Sequence, residues 1–394
     1  MANVLTDLAA DIYRAADIVG RELTGFIPAS TVNAGSEEAA VGQNVRSFAT
    51  PAATAVTIAP SMTIPEGTDQ TLTNKTLTIS NQRGVQIPYT GEDVRFLDGG
   101  AGYETVYGAQ IQQAMRTLVN EMEADLAEEA YKNASRAVGT AGTTPFGSNF
   151  NTVASARQIL ADNGMPTNDG LMSLVVNTSA GVNLRNLATL TQVNTAGSDD
   201  TLRRGELLNL QGVSLKESSQ VQSHTKGTGT SYLVNNAAAA IGDTTIPADG
   251  GSGTIVAGDV ITIAGDTNAY VVNSALAGGN LSVGDTGLRV AVADNAAITV
   301  GNNYTANIMM HQAGMEIAMR APAKPTGGDA AEDIMVVQDP LTGMVFEVAV
   351  YKGFNKAMIQ VGAVWGVKAW NSDVIVVLMG ELMRGESPFS SSLG

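Results

Sequence analysis

Residues 103–138 read YETVYGAQIQQAMRTLVNEMEADLAEEAYKNASRAV, and the rest of the chain is organised around them. Tyr107, Ile111, Met115, Leu118, Met122 and Leu126 recur at helical spacing and share one stripe. Gln112, Gln113, Arg116, Asn120, Glu121, Glu123, Asp125 and Glu128 fall largely off it. No proline interrupts the run, Glu128 and Lys132 form a favourable i,i+4 pair, and Gly99, Gly100, Gly102, Gly139 and Gly142 punctuate its ends. The spacing predicts a helix from Tyr103 to Val138, roughly 50 Å long at about 1.5 Å per residue. Periodicity alone also suits a bundle or a coiled-coil seam, but no second heptad-like segment of similar length is there to pair with it. A lone helix lying across a sheet is expected.

Working toward the N-terminus, residues 45–94 change to a β pattern. Val56–Ile58, Lys75–Ser80 and Val85–Tyr89 read as short strands around the polar, Pro/Gly/Thr-rich stretch Ser61–Asn74. The expectation is an extended hairpin with little core of its own, which needs a neighbour to lie on. Ahead of it, Leu5, Leu8, Ile12, Val19 and Leu23 make the apolar side of an amphipathic helix that Pro28 stops. Ser30–Gln43, small and polar with Glu37 and Glu38, reads as a mobile arm. The helix is expected either to dock on a partner or to fold back on its own core.

Toward the C-terminus, Thr152–Ala161 reads as a helix ending at Asn163-Gly164, Ser173–Asn177 as a buried strand, and Asn177-Thr178-Ser179 as the start of a helix through Leu190. Val213–Leu215 is strand-like. Residues 219–303 then carry short strands at fairly even spacing: Tyr232–Val234, Thr254–Val256, Val260–Ile263, Tyr270–Asn273, Leu281–Val283, Leu288–Val292 and Ile298–Val300. Such a series predicts a small all-β barrel or sandwich, inserted into an α+β chain. Strands resume at Asp333–Gln338, Val345–Tyr351, Met358–Trp370 and Val374–Leu378, with turns at 339–343 and 371–373.

Composition narrows the function. The chain has 394 residues and a net charge of −16 from 22 basic and 38 acidic side chains, which argues against a phosphate-binding groove and an anionic membrane partner. With no cysteine there is no disulfide, Cys-ligated zinc or thiol catalysis. Asp7 and Asp11 stand where an export signal would carry Lys or Arg, and apolar runs such as Val374–Met379 are too short to span a bilayer. There is no phosphate loop, nucleophile elbow or HExxH, and Gly227-Thr228-Gly229 lacks the third glycine of a dinucleotide fingerprint. His224 and His311 are far apart, and Asp199-Asp200 and Glu37-Glu38 read as solvated loop charge. The sequence predicts no catalytic residue, cofactor or metal.

The order of parts resembles the major capsid (coat) proteins of tailed bacteriophages with the Hong Kong 97 fold. The ending Ala363-Val364-Trp365-Gly366-Val367-Lys368-Ala369-Trp370-Asn371-Ser372-Asp373-Val374-Ile375-Val376-Val377-Leu378 is similar to the way many of these coats close, although Asn371-Ser372-Asp373 stands where relatives often carry Arg-Pro-Glu. Residues 254–265 (TIVAGDVITIAG), with Leu210–Val213 and Ser223–Thr228, resemble the barrel and its entry in the P-twenty-two-like branch. The resemblance implies an N-terminal arm (1–44), an extended loop (45–98), a peripheral domain with its spine helix (99–170), an axial domain in two parts (171–218 and 304–343), the inserted barrel (219–303) and a bracing C-terminal part (344–394). It further implies a shell of pentamers and hexamers enclosing double-stranded DNA without reading its sequence. Scaffolding, portal and decoration proteins would be its partners, the bacterial cytoplasm its place of assembly and the virion its destination.

Charges of the extended loop such as Arg46, Glu66, Lys75, Arg83, Glu92 and Asp93 are expected to select register between subunits. Lys75 is the loop's only lysine, but the lysine–asparagine cross-link of some relatives is not expected in this branch. The alternative is another self-assembling protein, a flagellin-like filament or a surface-layer subunit. An enzyme or carbohydrate binder using the β insertion as its ligand module ranks third, for want of a convergent polar site.

Overall fold

The structure is a computed structural model, describing residues 5–23, 25–49, 55–63, 73–98, 103–191, 209–236, 239–339 and 341–382. Along the chain run α1 (Leu5–Glu22), β1 (Thr31–Ala39), β2 (Asn44–Ala49), β3 (Thr73–Thr78), β4 (Asn81–Thr90), α2 (Gly91–Asp98) and the long α3 (Tyr103–Lys132). Next come β5 (Arg136–Val138), α4 (Asn151–Asp162), β6 (Met172–Val176), α5 (Thr178–Asn186), α6 (Ala188–Thr191) and β7 (Ser214–Glu217). Short strands follow: β8 (Ser223–His224), β9 (Tyr232–Val234), β10 (Thr245–Asp249), β11 (Val260–Ile263), β12 (Ala269–Ala277), β13 (Asn280–Val283) and β14 (Ala297–Val300). The last are β15 (Tyr304–His311), β16 (Met315–Pro322), β17 (Ala331–Gln338), β18 (Val345–Gly353), β19 (Lys356–Ala369) and β20 (Ile375–Gly380). The fold is α+β.

The helix α3 is the expected beam, shorter than the pattern suggested. It has 30 residues, about 45 Å, and every member of the predicted stripe is at most 3% exposed. Burying each such large apolar side chain is worth about 1.5–3 kcal/mol, which outweighs the modest helix propensity of its Tyr, Thr and Val residues. It ends at Lys132 rather than Val138 because residues 136–138 form β5, in parallel register with Val376–Leu378 of β20. Nor is it alone. Ile12, Ala15, Ala16 and Val19 of α1 are buried in the same core as the α3 stripe, and Arg116 holds both carboxylate oxygens of Glu22. The N-terminal helix folds back on its own chain.

Under α3 lies a six-stranded sheet built on β19, whose 14 residues make it the longest described strand. Along one edge β19 pairs with β4, from Lys356↔Thr90 to Trp365↔Asn81. Along the other, β18 takes its first half and β16 its second. β17 lies beyond β18, and β1 lies parallel to β16. Two expectations fail here. The segment read as a mobile arm is a sheet strand, fastened by Arg320 Nη1 to Asn33 O (2.7 Å) and by Asn33 Nδ2 to Glu316 Oε1 (2.8 Å). The run Val85–Tyr89 belongs to this sheet and not to the projecting hairpin, which is β2 and β3 alone.

A second sheet of 12 strands has two parts. In one, β5, β20, β15, β6 and β7 lie side by side, and α4 and α5 share a core with their buried faces. Asn163 and Gly164 (φ +89°) close α4, and Asn177 Oδ1 accepts the Ala180 N–H at the start of α5, both where the sequence put them. In the other part, β11, β14, β9, β10, β13 and β12 pair in that order, and β12 returns to β11, so the ring closes around its own core. Within it Thr254–Val256 and Leu288–Val292 are not strands, and β10 takes a place that the sequence did not suggest. Val56–Ile58 is likewise not a strand.

Candidate functional site

The surfaces that can act on a partner are set by how the platform of α3 and β19 is locked and by what stands out from it. Glu121, Asp125 and Glu129 are four residues apart on α3 and face β4 and β19. Arg83 Nε on β4 lies 3.5 Å from Glu121 Oε2. Asp125 Oδ2 accepts from Trp365 Nε1 and from Asn81 Nδ2, both at 2.7 Å. Glu129 Oε1 accepts from the Ala369 N–H at 3.1 Å. Burial pushes the Asp125 carboxyl above its ordinary range, against the pull of those two donors. Away from this row, Glu123 is 3% exposed and accepts the backbone N–H groups of Phe26 and Ile27, each at 2.7 Å. It thereby pins the turn between α1 and β1 to the helix. Its carboxyl is pushed up by desolvation. Sequence reading left Glu121, Glu123 and Asp125 as off-stripe polar residues. The i,i+4 spacing of Glu121, Asp125 and Glu129 was the one available signal, and it did not name their partners.

The β2–β3 hairpin stands on this platform. Its six register pairs run from Asn44↔Thr78 to Ala49↔Thr73 and join no other sheet. Its base is not without support, contrary to expectation. Leu77 and Ile79 are fully buried, and Ile79 shares a cluster with Val364 of β19 and Ala39 of β1. The backbone of 78–79 comes so close to β19 that a Cβ at Gly366 would stand 2.4 Å from Thr78 O, so only glycine fits there. Beyond the base the described part of the tip offers Val56, Ile58 and Met62, exposed by 75%, 97% and 107%.

The loop charges divide. Lys75 Nζ donates to Trp370 O at 2.9 Å and lies 5.7 Å from the centre of its ring, so Lys75 seats the hairpin on its own chain. Arg83 is engaged with Glu121. Asp93 Oδ2 accepts from Thr90 N and Oγ1 while Thr90 Oγ1 accepts from Asp93 N, a capping box that starts α2. The Thr90 hydroxyl foremost, then its N–H, holds the Asp93 carboxyl below its usual range. Arg46 and Glu92 are exposed. Glu66 lies outside the described residues.

Both histidines have aspartate partners. His224 Nε2 is 2.8 Å from Asp259 Oδ1, whose carboxylate also accepts from Gly227 N and Val256 N. The His224 ring lies between those of Tyr131 and Tyr304, and Tyr304 donates to Gly258 O at 2.6 Å. This buried seam joins the ring of short strands to the end of α3. His311 Nε2 is 2.7 Å from Asp169 Oδ2, and its Nδ1 accepts from Ala313 N. Among the described residues no three His, Asp or Glu side chains converge as a metal site, and no helix is long and apolar enough to cross a membrane.

No protein-family profile matches the sequence, and no curated protein does. Among solved structures the chain is similar to one from Mycobacterium phage Che8, at 14% identity over 86% of this chain and 84% of that one, with a TM-score of 0.44. It is similar to the capsid of Cyanophage P-SCSP1u at 11% identity over 91% and 88%, with a TM-score of 0.47. A virus-like particle from Pyrococcus furiosus matches at 9% identity over 96% and 100%, with a TM-score of 0.42.

Proposed function

We propose that this chain is a major capsid protein of the Hong Kong 97 type, a structural subunit that closes into an icosahedral shell around phage double-stranded DNA. One observation carries the reading. A two-stranded hairpin, rooted by Leu77, Ile79 and Lys75 on a helix-on-sheet platform, holds Val56, Ile58 and Met62 out in solvent. Large apolar side chains at the end of a projection gain nothing for the free subunit and gain burial when a neighbour covers them. The long α3 braced by three carboxylate contacts is a stiff base for such a reach.

On this reading α3, β4 and β19 form the peripheral domain and the β2–β3 hairpin its extended loop. β6, β7 and α5 with β15 form the axial domain, whereas β16 and β17, expected there with the rest of 304–343, pair into the sheet under α3; the closed ring within 219–303 is the inserted domain of the P-twenty-two-like branch. Arg46, Glu66 and Glu92 select register between copies, while Lys75, Arg83 and Asp93 shape the surfaces that meet. Scaffolding, portal and decoration proteins are its partners, and its place is the virion, after assembly in the host cytoplasm.

Expression of the full chain with and without a scaffolding partner, followed by negative-stain microscopy and sedimentation, tests this. Closed polyhedra or their capsomer fragments are expected. Filaments favour the surface-filament alternative. A chain that stays monomeric under both conditions overturns the assignment.

A further inference from the structure

The hairpin joining β18 to β19 turns through only Phe354 and Asn355, between the paired residues Gly353 and Lys356. Asn355 takes φ +51°, a conformation asparagine tolerates well, so the tip is tight and held by the ladder behind it. At this rigid tip Phe354 is 97% exposed. An aromatic side chain presented without backbone freedom loses little entropy when it is buried. Close by, between α3 and β4, is an open groove of about 620 Å³. Val85, Ile87, Pro88 and Tyr107 supply its apolar lining, and Asp93 stands among its polar residues.

We infer that Phe354 is an intersubunit anchor that seats in the α3–β4 groove of a second copy of this chain. This rests on the assembly reading above and names a contact within it, separate from the extended loop. Charge selects the groove. In a chain of net charge −16, Lys356 flanks the anchor together with Lys352, which is paired with Glu332 of its own chain, and the groove carries Asp93 with Glu92 beside it in sequence. A smaller recess of about 450 Å³ also borders β4, but Lys352 and Lys356 line it, so a neighbour's tip would set lysine against lysine there. Position selects a second copy. Lys356 pairs with Thr90, the residue that caps α2, so anchor and groove lie at the same end of the molecule. Anchor and groove are different surfaces of one chain, so the contact is heterologous and repeats from copy to copy, closing into a ring where the rotation between copies divides a full turn.

The chain's lack of cysteine makes the test direct. Two single variants, Phe354→Cys and Gln110→Cys, with Gln110 an exposed groove residue, are assembled together and oxidised. A disulfide between the two variants can arise only between copies. It is expected in the mixture, on a non-reducing gel, and in neither variant alone. Phe354→Ser is expected to raise the concentration needed for assembly about tenfold, with Phe354→Leu restoring most of it and the thermal unfolding of the free subunit unchanged. Particles that form normally from Phe354→Ser, with no mixed disulfide, overturn the anchor and leave the shell standing. A wild-type chain that never assembles overturns both.

Discussion

Trp365 shows what one side chain does in this fold. It is 1% exposed on β19, and its Nε1–H is one of two donors to the half-buried Asp125. Trp365→Phe keeps most of the volume but removes that donor, and should cost about 1–3 kcal/mol in denaturant unfolding. Adding Asp125→Asn should return part of the loss, because the carboxylate then no longer needs a donor; equal losses in the single and double variants would refute this. Glu123 gives a pH-dependent counterpart. Its folded carboxyl lies above the ordinary value of 4.5, so the native state binds this proton more tightly than the unfolded chain does. Its contribution to stability therefore grows as pH falls through the folded value toward 4.5, and is lost as pH rises. Urea unfolding across that interval should show wild type gaining on Glu123→Gln as the pH drops. A constant difference would mean that the group does not titrate there.

The β2–β3 hairpin is the element whose two ends have different tasks. Its base contributes buried Leu77 and Ile79 to the chain's own core, whereas its described tip contributes no buried side chain. Replacing residues 50–72 by Asn-Gly, which suits a two-residue hairpin turn, should leave subunit unfolding almost unmoved and abolish assembly in sedimentation. Assembly that survives this shortening would remove the hairpin from the proposed mechanism. Gly366→Ala acts at the other end. It forces the 78–79 backbone off β19 and should lower stability by about 1–3 kcal/mol in the isolated subunit.

Across the whole molecule, the closed ring meets the body along β12–β5 and at the His224–Asp259–Tyr304 seam. Gly258 sits in that seam at φ +91°, where a Cβ would stand 2.5 Å from a ring carbon of Tyr131. Gly258→Ala combines backbone strain with a clash and should cost about 1–3 kcal/mol. Hydrogen exchange should rise along β12 and β5 while the sheet around β19 stays protected. Uniform loss of protection in both sheets would show that ring and body open as one unit.

By itself, the sequence determined the elements with a plain apolar pattern: the α3 stripe at helical spacing, the apolar runs of β6, β18 and β19, and the strands β9 and β11, whose bounds it matched. Turn chemistry was as plain at Asn163-Gly164 and at the cap Asn177. Tertiary structure alone decided where β1 went, why α3 stops at Lys132, which sheet owns β4 and that the ring closes. The reason is physical. A local pattern records which side of an element avoids water, and not what covers it. For polar groups such as Glu123, Asp125 and Lys75, burial depends on donors and acceptors that lie 97, 240 and 295 residues away.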